Sequence, residues 1–163
     1  MPDDLIAASA ALDVRDGIIV DAHCRTSDPR IFAAGDVARF ETSSGTMRLE
    51  NWRHAQEHGA VAGRNAAGAS DTYSAVPSFW SEQYDLYIQG VGWPDLAATK
   101  VRRPLRSVLV LGANNGVVSN ALGINVQRDL AAIRRLIERK IPIETSLLAD
   151  PSRPFVEMLK ARA

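Results

Sequence analysis

The chain has 163 residues, which suits one ordinary domain or one small domain with a piece of another. Its 46% hydrophobic and 23% charged residues are typical of a globular protein with a real core. Because 19 basic and 19 acidic side chains balance, the overall basic excess of a nucleic-acid binder is absent, and no nucleic-acid partner is predicted.

Cysteine content and the N-terminus indicate the compartment. The single Cys24 forbids an intrachain disulfide, which favours a reducing compartment, and we predict a cytoplasmic location. The N-terminus has two acidic residues and no long apolar run, so it does not have the pattern of a signal peptide. No stretch of about 18 apolar residues occurs, so no transmembrane helix and no membrane partner are predicted.

The first predicted elements are short. Residues 3–12 indicate a short helix, and the β-branched run 17–20 indicates a strand that follows a turn at Asp16. The apolar run 31–34 predicts a second, buried strand, which ends at Gly35.

A longer helix is predicted over residues 49–67. Ala55, Gly59 and Gly63 recur every four positions and therefore lie on one face of it. Because glycine weakens a helix interior by roughly 1 kcal/mol relative to alanine, this face predicts another backbone packed very close against it. A cofactor wedged nearby is the alternative interpretation.

A second domain is predicted to follow a boundary in the non-periodic segment 68–74, which gives domains at 1–70 and 71–163. Residues 78–89 are aromatic-rich and indicate a strand, and residues 84–122 read as an antiparallel meander with a turn at 112–116.

The last predicted element is a helix. Asn125 is its predicted N-cap, and Val126, Leu130, Ile133 and Ile137 follow at helical spacing. Pro142 is expected to stop this helix. The fold class is therefore predicted as α+β.

The segment from Thr26 to Asp36 gives the strongest indication of a functional site. A predicted strand delivers Gly35 and Asp36 to its carboxyl end, where ligands bind in α/β folds. Gly35 lacks a side chain, so backbone can approach a cofactor closely, and Asp36 offers an acceptor that suits a ribityl or ribose hydroxyl. A Gly-Asp pair after a strand is by itself usually only a turn.

The whole segment 26–36 resembles the second FAD-binding motif of the pyridine nucleotide-disulfide oxidoreductase superfamily. Three further segments, 48–59, 77–84 and 125–137, are similar to one branch of it, in the same order. That branch contains the ferredoxin reductases of aromatic-ring dioxygenase systems and of bacterial cytochrome monooxygenase systems, such as putidaredoxin reductase. The resemblance implies the C-terminal remnant of an FAD-binding α/β domain, followed by a small domain of antiparallel sheet and helix.

The resemblance also implies which residues contact the cofactor. Asp36 would hold the ribityl chain of FAD, with Gly35 and Val37 against its phosphates. Glu50 and Trp52 would lie in the first turn of the helix that points at the flavin. The sixth implied cofactor-binding residue, Trp80, would pack near the flavin from the C-terminal domain; an ordinary core or groove aromatic is the alternative for both tryptophans.

Electron transfer from NAD(P)H through FAD to an iron–sulfur ferredoxin is the implied activity. Because ferredoxins are usually acidic, docking requires basic residues near the flavin edge, and Arg48 is the first candidate. The exposed face of the last predicted helix is a second candidate (Arg128, Arg134, Arg135 and Arg139), with simple solvation as the alternative. No residue is assigned a catalytic proton or nucleophile.

Two histidines have a spacing that metal ligands can have. His54 and His58 lie four residues apart on the predicted helix and could share a metal. No third ligand is apparent and Glu57 points elsewhere on the helix, so no metal site is predicted.

Two segments that the resemblance implies are not found. A reductase of this kind has one GxGxxG for FAD and another for NAD(P)H. Gly90 and Gly92 are followed by Trp93 and a proline, and residues 112–116 lie in a predicted hairpin, so neither is a phosphate loop. We therefore expect a truncated or split reductase that is inactive alone, that needs an N-terminal half as partner, and whose unaided FAD binding is doubtful.

Other functions stay open at this point. A non-enzymatic module for ferredoxin docking or dimerisation would explain the C-terminal domain, but it has no use for the pair Gly35 and Asp36. Another branch of the superfamily, of the nitrite-reductase or apoptosis-factor type, shares that pair but matches segments 77–84 and 125–137 less well. Apolar surface left by absent domains would also favour self-association.

Overall fold

The computed structural model describes residues 1–42, 45–93, 95, 97–104 and 107–160. The chain divides into two compact units, Met1–Ala75 and Val76–Ala163. Both units combine helices with small sheets, and the α+β class predicted from the sequence is confirmed.

The first unit is a three-stranded sheet with two helices and one 3-10 turn. Its strands lie in the order β1–β2–β3, with β1 parallel to β2 and β2 antiparallel to β3. In chain order, its elements are α1 (Leu5–Ser9), β1 (Ile18–Val20), the 3-10 turn (Gly35–Val37), β2 (Ala38–Thr42), β3 (Gly45–Met47) and α2 (Trp52–Ala66).

The predicted strand at 31–34 is not present. This segment is extended but forms only one isolated bridge, between Arg25 and Phe32. Its backbone bonds are local, because the Ala33 N–H donates to Cys24 and the Ile31 carbonyl accepts from Thr26. The strand that pairs with β1 is instead β2, directly after the 3-10 turn, and the sequence did not predict it.

Helix α2 begins three residues later than predicted. Asn51 is extended, with φ −150°, and its side chain accepts the N–H of His54 at 2.9 Å. This capping bond sets the start of the helix at Trp52. Glu50 therefore precedes the helix and does not lie in its first turn, which corrects the prediction.

The close packing predicted for the small-residue face of α2 is found only at its start. A Cβ on Gly35 would lie 3.4 Å from the Cβ of Ala55, so backbone does approach there. Among the described residues, nothing lies within 4 Å of a Cβ built on Gly59 or Gly63. The two glycines therefore face open space, and the predicted backbone neighbour is absent at them.

The second unit is a five-stranded antiparallel sheet with three helices. Its strands lie in the order β4–β5–β8–β7–β6, so β8 is inserted between β5 and β7. The predicted meander is therefore wrong in its connectivity. In chain order, the elements are β4 (Ser78–Gln83), β5 (Leu86–Gly92), β6 (Thr99–Pro104), β7 (Val108–Asn114), β8 (Val117–Ile124), α3 (Gln127–Arg139), α4 (Thr145–Ala149) and α5 (Phe155–Lys160).

Two turns differ from the prediction because of residues with positive φ. The aromatic run 78–89 is not one strand, since Tyr84, with φ 56°, turns the chain between β4 and β5. Asn125 adopts φ 54°, and its side chain accepts the Tyr87 N–H and donates to the Asp85 carbonyl. It therefore braces the β4–β5 hairpin and does not cap α3, which begins after Val126.

Helix α3 covers one face of the sheet and forms the core of this unit. The predicted apolar spacing is confirmed, because Leu130, Ile133 and Ile137 are buried. They belong to one cluster with Leu109 and Leu111 of β7. The two short helices α4 and α5 were not predicted, and the buried side chains Leu148 and Phe155 attach them to this core.

Candidate functional site at the Gly35–Val37 turn

The 3-10 turn requires glycine at its first position. The chain arrives extended at Ala34, with φ −152° and ψ 167°, and then reverses at Gly35, with φ 72°. Positive φ at this point is costly for any residue with a Cβ. The turn leaves Gly35 buried against α2 and exposes the carboxylate of Asp36, with Val37 half-buried.

The turn is held from beneath by a buried histidine. The Gly35 N–H donates to Nδ1 of His58 at 3.3 Å. His58 is fully buried, and burial, with a smaller contribution from neighbouring His54, lowers its pKa to about 4. The ring is therefore neutral at physiological pH, which leaves Nδ1 available as an acceptor.

A compact aromatic cluster surrounds this histidine. The ring of His58 lies 4.8 Å from that of His54, 4.6 Å from Tyr73 and 5.2 Å from Phe40, measured between centroids. Nδ1 of His54 is 2.8 Å from the Tyr73 hydroxyl, and burial lowers the pKa of His54 as well. The cluster joins β2, α2 and the segment after α2. It therefore fixes the position of the side chains against which the turn packs.

Arg48 holds the same turn from the side. Its guanidinium donates to the backbone carbonyl of Asp36 at 2.9 Å, pairs with Asp16 at 3.5 Å and also pairs with Glu50. Only 13% of the Arg48 side chain is exposed. It is packed so closely that a Cβ on Gly17 would lie 2.9 Å from its Cδ. Arg48 thus ties the turn to the segment that leads into α2.

Of the six residues predicted to contact a cofactor, five lie in the first unit and one lies in the second. Gly35, Asp36 and Val37 form one turn, and Arg48 links that turn to Glu50. Trp52 is the first residue of α2 and is 67% exposed. The remaining member, Trp80, lies on β4 of the second unit, where it is 45% exposed.

The sequence did not reveal the residues that support the turn. His58 was considered only as a metal ligand, whereas its ring accepts a backbone N–H. Asp16 was read only as part of a turn, and Tyr73 was assigned to a boundary segment. The one signal of this support in the sequence was the four-residue spacing of His54 and His58. That spacing places both side chains on one face of α2, which is the face toward the turn.

Neither a metal site nor a membrane-spanning helix is found in the part of the chain that the structure describes. No group of three or more His, Cys, Asp or Glu side chains is arranged to hold a metal ion. Among the same residues, no helix has the length and apolar character needed to cross a membrane.

Comparison with known proteins assigns both units to described families. The family model "Pyridine nucleotide-disulphide oxidoreductase" matches residues 1–59, and the model "Reductase C-terminal" matches residues 78–159. The ferredoxin–NAD(+) reductase component of the anthranilate 1,2-dioxygenase system of Burkholderia cepacia is 41% identical over 159 residues. That alignment covers 93% of this chain and 39% of the relative, so the chain spans well under half of the relative's length.

Solved structures agree with this assignment. The ferredoxin reductase for the CYP199A2 system of Rhodopseudomonas palustris superposes with a TM-score of 0.88 at 30% identity, covering 96% of this chain and 40% of that one. The covalent putidaredoxin reductase–putidaredoxin complex superposes with a TM-score of 0.90 at 28% identity, covering 98% and 40%. The chain therefore belongs to the pyridine nucleotide-disulphide oxidoreductase family, in its ferredoxin reductase branch, and carries that family's reductase C-terminal domain at residues 78–159.

Proposed function

We propose that this chain is the C-terminal part of a flavoprotein reductase that passes electrons from NAD(P)H through FAD to an iron–sulfur ferredoxin. The observation that carries the proposal is the Gly35–Val37 turn, whose backbone is held by His58 and Arg48 while the Asp36 carboxylate faces outward. The ferredoxin partner is supported by the names of the relatives, which are ferredoxin reductase components of dioxygenase systems. The missing partner would be the N-terminal half, with both GxGxxG motifs.

The residues at the turn fit the ribityl and diphosphate region of FAD. Among the described residues, the Asp36 carboxylate forms no hydrogen bond or ion pair, so it is available to accept from hydroxyl groups. Helix α2 has no acidic side chain in its first turn, so its positive end is not neutralised by its own residues. Gly35, with no side chain, lets α2 pack closely against the turn, because a Cβ there would lie 3.4 Å from that of Ala55.

Each residue then has a role in holding the cofactor. Asp36 would bind the ribityl chain, and Gly35 and Val37 would lie against the phosphates. Glu50, just before α2, and Trp52, its first residue, would border the flavin ring. Trp80, on β4, stays a predicted cofactor-binding residue. The chemistry that FAD supplies when bound is acceptance of a hydride from NAD(P)H and release of single electrons to the ferredoxin.

We predict that Asp36→Ala lowers FAD affinity at least about tenfold, because a hydrogen bond to a charged acceptor contributes roughly 1.5–3 kcal/mol. The thermal midpoint should change little, since the carboxylate forms no hydrogen bond or ion pair with a described residue. Affinity is measured by quenching of FAD fluorescence. The control Asp3→Ala removes another exposed acid of the same unit. Equal affinity for Asp36→Ala and the control would reject the assignment.

The titration of the unmodified chain tests the proposal itself. Stoichiometric FAD binding would show that this half-site is sufficient for the cofactor. Absence of binding would show that the site needs an N-terminal half, and the same titration would then be made with that half supplied as a second chain. Failure of that pair to bind FAD would reject the proposed function and favour a non-enzymatic module.

Arg48 stays a predicted docking residue for ferredoxin. We predict that Arg48→Glu, in a reductase that contains this chain, raises the KM for ferredoxin about tenfold and leaves NADH-to-ferricyanide activity unchanged. Because Arg48 also supports the Asp36 turn, FAD content of the variant is measured first. Arg128→Glu, on the exposed face of α3, tests the second candidate surface. Equal loss in both Arg48→Glu assays would assign it a structural role only.

Two further properties belong to the proposal. A cytoplasmic location follows from the single unpaired Cys24 and is tested by cell fractionation. Self-association follows from exposed apolar side chains such as Phe79, Tyr84 and Leu122 in the second unit, and light scattering of the purified chain measures it.

A further inference from the structure

His58 lies directly beneath the cofactor-facing turn. Its side chain is fully buried, and Nδ1 lies 3.3 Å from the amide nitrogen of Gly35. A backbone N–H can only donate, so Nδ1 must carry the lone pair. The neutral ring must therefore hold its proton on Nε2, which has no hydrogen-bond partner among the described residues.

The surroundings of His58 favour this neutral form. Phe40 and Tyr73 pack against the ring, and the positive form of neighbouring His54 would repel a second proton. Cys24 contacts only the backbone carbonyl of His58, at 3.8 Å.

The carboxylates nearest to this cluster act on the neighbouring histidine. Asp36 and Glu57 favour the charged form of His54, but burial outweighs them and lowers its pKa. Within the described part of the chain, no carboxylate raises the pKa of His58 itself.

We propose that His58 is the positioning residue of the Gly35–Val37 turn, and that its unprotonated Nδ1 fixes the Gly35 amide and thereby the direction of the Asp36 carboxylate. The consequence for FAD rests on the proposed function, whereas the claim about the turn rests on the hydrogen bond alone. Protonation of Nδ1 removes the acceptor and places an N–H against the Gly35 N–H. The turn should therefore loosen in acid.

The direction of the pH effect follows from the folded and unfolded pKa values. Burial lowers the pKa of His58 from 6.5 to about 4, so the unfolded chain binds the proton more readily. The stabilisation is complete above pH 6.5 and is lost as the pH falls through about 4. Loosening of the turn should follow the protonation of His58 itself.

The test uses NMR of the 163-residue chain with ¹⁵N-labelled histidine, which resolves His58 from His54. We expect the Nε2–H tautomer at pH 7, and a Gly35 amide shift that follows the His58 midpoint during acid titration. His58→Leu removes the acceptor at similar volume, and His58→Asn keeps an acceptor near the Nδ1 position. Hydrogen exchange at Gly35 should be at least about tenfold faster in His58→Leu than in His58→Asn, with the α2 amides equally protected.

The outcomes separate this inference from the proposed function. A proton on Nδ1 at pH 7, or equal Gly35 exchange in both variants, would overturn the positioning role. If both variants unfold, the titration of the unmodified chain decides alone. The NMR results could be as expected while FAD fails to bind, even with an N-terminal half supplied. That outcome would support the positioning role of His58 and reject the proposal that this site binds FAD. FAD binding that His58→Leu leaves unchanged would reject the positioning role.

Discussion

Replacement of Gly92 by alanine is expected to lower the free energy of unfolding of the second unit by at least about 4 kcal/mol. Gly92 ends β5 with φ 87°, and a Cβ built there would lie 2.1 Å from the Ser119 carbonyl oxygen and 2.7 Å from Cα of Asn120. Both atoms belong to the backbone of β8, so no side-chain rotation can relieve the clash. Strands β5 and β8 would have to separate at the Gly92–Asn120 pair.

The control isolates the clash from the backbone strain. Gly68 has a similar φ of 100°, but nothing lies within 4 Å of a Cβ built on it. Gly68→Ala should therefore cost only the strain of the left-handed conformation, on the order of 1 kcal/mol. Denaturant unfolding measures both variants. If Gly92→Ala costs no more than Gly68→Ala, the close approach of β8 to Gly92 is incorrect.

The sequence predicted elements whose signals are local. The apolar spacing of α3 is complete within one helix, and its buried residues were identified correctly. The pairing of β5 with β8 was missed, because it joins residues 28 to 36 positions apart and neither strand carries a signal that selects its partner. Gly92 is an example: it was read only as part of a failed phosphate loop, and its need for glycine comes from β8.

The candidate site shows the same division. The segment 26–36 identified Gly35 and Asp36 because spacing and residue types together are specific. The support of the turn could not be predicted, since Gly35 and His58 are 23 positions apart and the role of His58 depends on its burial. Arg48 was predicted only as a docking residue, and the structure adds that backbone and carboxylate oxygens accept hydrogen bonds and ion pairs from its guanidinium.

A buried cation secures the C-terminal helices of the second unit. Arg103 on β6 is 3% exposed, donates to the backbone carbonyls of Asp150 and Arg153, and lies 4.1 Å above the ring of Phe155. Burial lowers its pKa, yet an arginine remains protonated at neutral pH. Its hydrogen-bond acceptors are neutral carbonyls, and the carboxylates of Asp129 and Asp150 also favour its charged form.

We predict that Arg103→Ala destabilises the second unit by about 3 kcal/mol, because it removes two charge-assisted hydrogen bonds and a desolvated cation–π contact and leaves a cavity. Arg103→Lys should lose nearly as much, since an ammonium cannot reproduce the planar fork or the stacking. The matched control is Arg102→Ala, one position away on the exposed side of the same strand, which should change stability by less than about 0.5 kcal/mol.

Arg103→Met separates packing from hydrogen bonding. Replacement of a buried charge by an apolar side chain of similar volume is often nearly neutral, because it removes the desolvation cost together with the contacts. We therefore expect Arg103→Met to retain much of the stability that Arg103→Ala loses, while hydrogen exchange in α5 accelerates in both. That pattern, measured by denaturant unfolding and amide exchange, would show that Arg103 fixes α5 in place more than it stabilises the sheet. Equal losses for Met and Ala would instead assign the stabilisation to the hydrogen bonds themselves.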